Sequence, residues 1–132
     1  MSKSYDNAVF ISDPEEEVNR KVAAMITDPQ RARRSDPGRP GFCNVFTFHE
    51  LYTDRETVRE IDGACKKASI GCVECKQKMA LSLNKALEPM REKRKELEAN
   101  RRLIDTIIHE GNTRAREIAK HTMEEVREAV KI

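Results

Sequence analysis

Residues 72–99 read CVECKQKMALSLNKALEPMREKRKELEA, and the spacing of their apolar positions decides the fold. Met79, Leu83, Leu87, Met90 and Leu97 fall on one stripe at helical period, the signature of an amphipathic α-helix. A long helix is therefore expected from about Val73 to Ala99. Pro89 lies inside it and is expected to kink it, because proline removes a helical hydrogen bond. Cys72 and Cys75 open this helix, where unpaired backbone N–H groups and the positive end of the dipole favour thiolates.

Working outward, Ile104, Ile108, Gly111, Ala115, Ile118, Thr122, Val126 and Ala129 form a second stripe. It predicts a final helix from about Arg101 to Val130, with Gly111 on the inner face permitting close helix approach. Upstream, Thr53 and Glu56 form a capping box ahead of the apolar face Val58, Ile61, Cys65 and Ala68. A short helical segment around Phe42 to Tyr52 carries Cys43 beside Phe42, Val45 and Phe46. Residues 27–41 hold three of the five prolines and two of the five glycines, which predicts an irregular loop. Before that loop, Asp13, Pro14 and Glu16 read as a D-x-x-E box opening a helix faced by Val18, Val22, Met25 and Ile26. Thr27-Asp28-Pro29 ends it, since the residue before proline is driven out of helical conformation. No strand alternation appears after residue 12. The expected fold class is all-α, a helical domain over 13–132 with helices packed pairwise and a short extended segment at 1–12.

A chain of 132 residues sets one domain as the expectation. Charged residues make up 36% and hydrophobic ones 38%, so the core must be assembled from thin helical stripes. The net charge of +2 says little about partners. Its distribution says more: residues 76–102 hold nine Lys/Arg against four Glu, and Arg31, Arg33, Arg34 and Arg39 cluster in the loop. Solvated helix faces and a polyanion-binding surface both remain open. No apolar run approaches membrane-span length and no secretory leader pattern is present, so a cytoplasmic protein without a membrane partner is expected. In that setting cysteines read as metal ligands or free thiols rather than disulfides.

Cys43, Cys65, Cys72 and Cys75 are all the cysteines in the chain, spaced C-x21-C-x6-C-x2-C. Four thiolates complete either a tetrahedral zinc site or a [4Fe–4S] cluster. Structural zinc sites usually pair closely spaced ligands, whereas one close pair and two isolated cysteines lie nearer to cluster ligation. The plainer alternative makes Cys43 and Cys65 ordinary buried cysteines. Lys66, Lys67, Lys76 and Lys78 flank the set and are expected to offset its negative charge. A metal here would tie three helices together, a gain for a domain with so thin a core. His49 reads as a helix-surface residue in preference to a rival zinc ligand, and His109 and His121 as polar-face residues. No Ser/His/Asp set, His-Glu-x-x-His motif or glycine-rich phosphate loop occurs, so the chain holds no recognisable complete active site.

Three stretches resemble bacterial tryptophanyl-tRNA synthetases, which are class I aminoacyl-tRNA synthetases. Met1-Ser2-Lys3-Ser4, followed by Tyr5-Asp6-Asn7-Ala8, is similar to the KMSKS signature without its first lysine. Thr27-Asp28-Pro29 through Arg33-Arg34-Ser35-Asp36-Pro37-Gly38 to Cys43-Asn44-Val45-Phe46 is collinear with the family. So is Ile70-Gly71-Cys72-Val73-Glu74-Cys75-Lys76, leading to Leu87-Glu88-Pro89-Met90-Arg91-Glu92-Lys93-Arg94. The resemblance implies a C-terminal fragment of an ATP-dependent tryptophan–tRNA ligase, comprising a KMSKS remnant (1–12) and a helical anticodon-binding domain (13–132). It implies that Met1, Ser2, Lys3 and Ser4 belong to the ATP site and that Lys3 is the catalytic lysine stabilising the transferring phosphates, with magnesium in the full enzyme. The Rossmann-type catalytic domain, through which the full enzyme forms a homodimer, is missing, so the fragment alone is expected to be inactive. A subset of the family carries a [4Fe–4S] cluster on four cysteines in almost this spacing. That implies a cluster, with zinc as the alternative, on Cys43, Cys65, Cys72 and Cys75. The expected partner is tRNA bearing the tryptophan anticodon, contacted by Lys66, Lys67, Lys76 and Lys78. The competing reading is a stand-alone metal-stapled helical module that binds protein through its long stripes. An electron-transfer ferredoxin is disfavoured, because bacterial ferredoxins cluster their cysteines far more tightly.

Overall fold

Five α-helices follow one another in the computed structural model, which describes residues 7–131. They are α1 (Glu15–Ala24), α2 (Asn44–Tyr52), α3 (Arg55–Lys66), α4 (Cys72–Ala99) and α5 (Arg101–Val130), with a single 3₁₀ turn at Pro40–Phe42. No strand occurs among the described residues, so the all-α expectation holds. None of the described helices is long and apolar enough to cross a membrane. The chain divides into two compact units, Met1–Arg91 and Glu92–Ile132.

In the first unit Val18 and Val22 of α1, Val45 of α2, and Met79, Ala80, Leu83 and Leu87 of α4 form the core. Seven residues are few, and polar side chains reinforce them. Asn84 on α4 donates to Asn19 Oδ1 (2.9 Å) and accepts from Arg91 Nη2 (2.7 Å), while Arg91 Nε donates to the Asp13 carbonyl (2.9 Å). These bonds join α1 and the residue Asp13 ahead of it to α4, beside the apolar stripe.

Two capping expectations need correction. Asp13 does not cap α1: the cap position is Pro14, with no side-chain bond. Asp13 is buried instead, accepting from Phe10 N (2.9 Å) and Lys21 Nζ (2.8 Å). An ion pair inside the fold outcompetes a local cap because Lys21 is itself buried and must be compensated. For α3 the cap is Asp54, accepting from Thr57 N at 2.9 Å, one residue after the expected Thr53. Glu15, Glu16 and Glu17 follow a simpler rule. The three glutamates fill the first turn of α1 and complement its dipole.

α3 ends in a Schellman turn: Ser69 N bonds the Ala64 carbonyl (2.9 Å) and Ala68 N the Cys65 carbonyl (3.1 Å). The left-handed position is occupied by Ala68, at φ 56°. A Cβ there costs energy that glycine would avoid, offset partly by glycine's greater unfolded-state freedom. Ala68→Gly is therefore expected to stabilise the chain by about 0.5–1 kcal/mol and raise Tm by a few degrees. A lowered melting midpoint would contradict that account of the turn.

Pro89 lies inside α4 without ending it. In the second unit Asn100 caps α5, its side chain accepting from Leu103 N at 3.1 Å. No residue of α5 is buried, and a Cβ added at Gly111 would meet nothing within 4 Å. The close approach expected at Gly111 is therefore not found among the described residues. Ile107, Ile108, Ile118 and Met123 are exposed along this helix.

Candidate metal centre

The four cysteines are delivered by helix ends. Cys43 is the residue before α2, held by Cys43 N bonding the Pro40 carbonyl at 2.9 Å. Cys65 sits in the last turn of α3, and Cys72 and Cys75 occupy the first turn of α4. Cys75 lies one turn before core residue Met79, and Cys43 two residues before core residue Val45. Both pack against the core, so the sulfur site is its continuation. All four are free thiols, partly buried, and all four line one small cavity with Thr27, Asp28 and Arg31.

Loop 27–39 closes this cavity, and Asp28 shapes the loop. Its carboxylate accepts from Gln30 N (3.0 Å), Arg39 N (3.1 Å), Arg39 Nε (3.0 Å) and Arg39 Nη2 (2.6 Å). The Arg39 guanidinium bonded to it holds the Asp28 carboxyl well below the usual carboxylate range. Gly38 then passes directly over Cys65: Gly38 N bonds the Cys65 carbonyl at 3.0 Å, and a Cβ on Gly38 would run into Cys65 Sγ.

Arg31 from the same loop reaches the sulfurs. Its Nη1 lies 3.8 Å from both Cys65 Sγ and Cys72 Sγ, and Nη2 donates to the carbonyls of Ile70 (2.8 Å) and Arg34 (3.0 Å). Burial raises the Cys65 thiol, with Arg31 pulling the other way. Burial, then the neighbouring thiolates, push Cys75 up to about 12. At neutral pH that thiol keeps its proton until a metal displaces it.

His49 is not on the surface. It is fully buried on α2, and burial lowers its pKa. A carbonyl cannot donate, so the neutral ring places its hydrogen on Nε2, which donates to the Cys75 carbonyl at 3.1 Å. Nδ1 then accepts from the Thr53 hydroxyl at 2.9 Å. Both nitrogens are engaged, so His49 is a core residue that fixes Cys75 rather than a metal ligand. Its Nε2 is also 3.6 Å from Cys75 Sγ. His109 and His121 are exposed on α5, as expected.

The lysines expected to offset the site charge are mostly engaged elsewhere. Lys66 pairs with Asp62 (2.7 Å), Lys78 with Glu74 (3.6 Å), and Lys76 Nζ donates to the Ala23 carbonyl (2.7 Å). Lys67 is exposed. The cation that reaches the sulfurs is Arg31, whose placement depends on a loop conformation set by Asp28 and Arg39 and invisible to local pattern. A recess beside the cysteine cavity is lined by Arg33, Arg34, Gly71, Glu74 and Gln77, and shares Thr27, Arg31 and Cys72 with it. Met1, Ser2, Lys3 and Ser4 lie outside the described residues.

The donor set can be tested against the two metals. Among the described residues, no three His, Cys, Asp or Glu side chains converge as one ion requires. A tetrahedral zinc draws four sulfurs to about 2.3 Å from a single point. A [4Fe–4S] cluster meets each thiolate at a separate iron and tolerates sulfurs spread around a cavity. Four thiols around a shared cavity supply the soft donor set that either centre uses, with a guanidinium beside it.

Residues 1–88 match the family described as tRNA synthetases class I (W and Y). The chain is 51% identical to the tryptophan–tRNA ligase of Aquifex aeolicus, an alignment covering all of this chain and 34% of the relative. It is 38% identical to that of Thermotoga maritima, over all of this chain and 40% of the relative. Its fold is similar to tryptophanyl-tRNA synthetase from Campylobacter jejuni, with TM-score 0.85 and 27% identity over all of this chain and 42% of that one. The chain thus spans between about a third and two fifths of the length of these relatives.

Proposed function

Since the chain belongs to the class I tRNA synthetases for tryptophan and tyrosine, we propose that it is the C-terminal part of a tryptophan–tRNA ligase. In this reading it carries a [4Fe–4S] cluster on Cys43, Cys65, Cys72 and Cys75 and contributes recognition of the tryptophan anticodon. The observation that carries the metal reading is the single cavity shared by all four cysteines with Arg31 at its wall. When bound, the cluster supplies a fixed cross-link among α2, α3 and α4. The chain's own residues do the rest: Asp28 and Arg39 hold the loop, His49 anchors the start of α4, and Gly38 gives Cys65 room. Met1-Ser2-Lys3-Ser4 would serve the ATP site, with Lys3 stabilising the transferring phosphates once the catalytic domain and magnesium are present. Alone, the fragment is inactive and cytoplasmic, and the homodimer belongs to the full enzyme.

Identity to tryptophan–tRNA ligases along the entire chain supports the RNA reading, as does the basic loop beside the cavity. Anticodon bases are single-stranded and are read by stacking and by their exposed edges. Lys66 and Lys67 at the end of α3, and Arg33 and Arg34 in the recess, are exposed and suited to phosphate or base contact. Lys66, Lys76 and Lys78 already have partners, in Asp62, the Ala23 carbonyl and Glu74, so contact with RNA would exchange those bonds. Binding to tRNA with the tryptophan anticodon is expected to exceed binding to an anticodon-substituted tRNA by roughly tenfold, the equivalent of one base contact. Equal affinity for the two would reject anticodon recognition. One observation favours a protein contact in addition: Ile107, Ile108, Ile118 and Met123 leave α5 with exposed apolar side chains.

A further inference from the structure

Arg31 carries an anomaly that its loop role does not explain. Its Nε is buried and has no hydrogen-bond partner. Among the described residues, no carboxylate pairs with its guanidinium; the bonds it makes go to two carbonyls and two sulfurs. A cation half-withdrawn from water and left without a counter-anion is costly. Asp28 lines the same cavity, yet its carboxylate is taken by Arg39. The negative charge that would compensate Arg31 must come from the cavity itself.

We propose that Arg31 is the positioning residue for the iron–sulfur cluster: its guanidinium neutralises the cluster's negative charge and bonds the Cys65 and Cys72 sulfurs, setting cluster retention and reduction potential. This rests on the cluster reading above and adds to it a residue outside the ligand set. Three features place Arg31 for this task. Ile70 and Arg34 carbonyls fix one nitrogen, so Nη1 is aimed at the sulfurs. Gly38 gives the side chain space, since a Cβ there would approach Arg31 Cδ to 3.4 Å. Arg31 also lines both the cysteine cavity and the outer recess, as Thr27 and Cys72 do. Cluster potentials respond to net charge and to hydrogen bonds to sulfur, and both pass through this one side chain.

The test uses the full 132-residue chain, reconstituted anaerobically with iron and sulfide, as wild type, Arg31→Met and Arg31→Lys. Iron content after chelator challenge and the midpoint potential from a dithionite titration are the readouts. Removing the cation destabilises the reduced, more negative state, so Arg31→Met should shift the midpoint downward. A tenfold change in the one-electron equilibrium corresponds to 59 mV. Iron loss to chelator should be several-fold faster than in wild type. Arg31→Lys, which keeps the charge and loses the fork, should recover part of the potential shift. A purely structural clamp would change stability and leave the potential of the loaded protein where it was. Wild-type potential in loaded Arg31→Met overturns the proposal, as does a lysine variant shifted as far as the methionine one. A wild-type chain that takes up no iron overturns the cluster reading, and this proposal with it. If Arg31→Met fails to fold, the potential of Arg31→Lys decides alone: a downward shift smaller than 59 mV supports charge neutralisation, and one of 59 mV or more rejects it.

Discussion

Cys75→Ser is expected to empty the proposed metal site and to melt the reconstituted chain at a markedly lower temperature. Cys75, one of the four proposed ligands, packs against the Val18–Val22–Met79 core, and its carbonyl receives the His49 bond. Its thiol, pushed up to about 12 by burial, shows that this sulfur sits in surroundings hostile to an isolated charge. A thiolate is stable there only when it binds metal. Serine keeps the shape, but its alkoxide is not available at neutral pH, so one corner of the site is lost. Iron per chain is expected to fall to a small fraction of wild type, and the broad visible absorbance of the cluster to disappear.

The stability change follows from the cross-link. Cluster ligation joins Cys43 to Cys65 and to the Cys72–Cys75 pair, closing loops that the unfolded chain would otherwise explore. By loop-closure arithmetic, one such closure is worth about 3 kcal/mol, or on the order of 10 °C in Tm for a unit this size. A core of seven buried apolar residues cannot absorb that loss easily. The control is decisive: wild type stripped of metal should melt close to Cys75→Ser, whereas the loaded proteins should differ. Full iron content in Cys75→Ser would remove Cys75 from the ligand set. A colourless wild type holding one zinc per chain would replace the cluster with the zinc reading.

How much of this was legible in the chain itself depends on the range of the interaction. The stripes Val18–Val22 and Met79–Leu83–Leu87 are local periodicities, and both became core. The ends of α4 and α5 were readable for the same reason. Asp13 misled because its local option, a cap, lost to the buried Lys21 eight residues on. His49 misled likewise: its period on a short helix left both faces open, and only packing against α4 decided that it goes inside. Loop 27–39 is the clearest limit. Its proline and glycine content announced irregularity, but nothing local says that Arg31 rather than the nearby lysines faces the sulfurs. That outcome is fixed by the Asp28–Arg39 pair, eleven residues apart, and by carbonyls of the Ile70 turn. The cysteines could be grouped from their count alone; their compensating charge could not.

Gly38→Ala separates the cluster from the fold, because one methyl group affects the two differently. Gly38 does not adopt a positive φ, so alanine imposes no backbone strain. The penalty is steric and points at one atom, Cys65 Sγ, with Arg31 Cδ and the Cys65 carbonyl each at 3.4 Å beyond it. In the metal-free chain Cys65 can turn its sulfur aside, since a free thiol rotates among staggered positions. Stability of the stripped protein should therefore change by less than about 1 kcal/mol. In the loaded chain the sulfur is tied to iron and cannot yield. The loop must then lift instead, breaking the 3.0 Å bond from Gly38 N to the Cys65 carbonyl and moving Arg31 off the sulfurs. Gly38→Ala is thus expected to fold normally when stripped of metal, yet to lose metal affinity by roughly ten- to a hundredfold, the scale seen when outer-shell partners are removed. Competition against a chelator reads that affinity, and melting of the stripped protein supplies the baseline. Wild-type retention in the alanine variant would mean that Cys65 Sγ does not face Gly38 when loaded, and would exclude Cys65 from the ligand position assigned to it. A serine at position 38 should behave as alanine does, because the conflict lies at Cβ and not at the group beyond it.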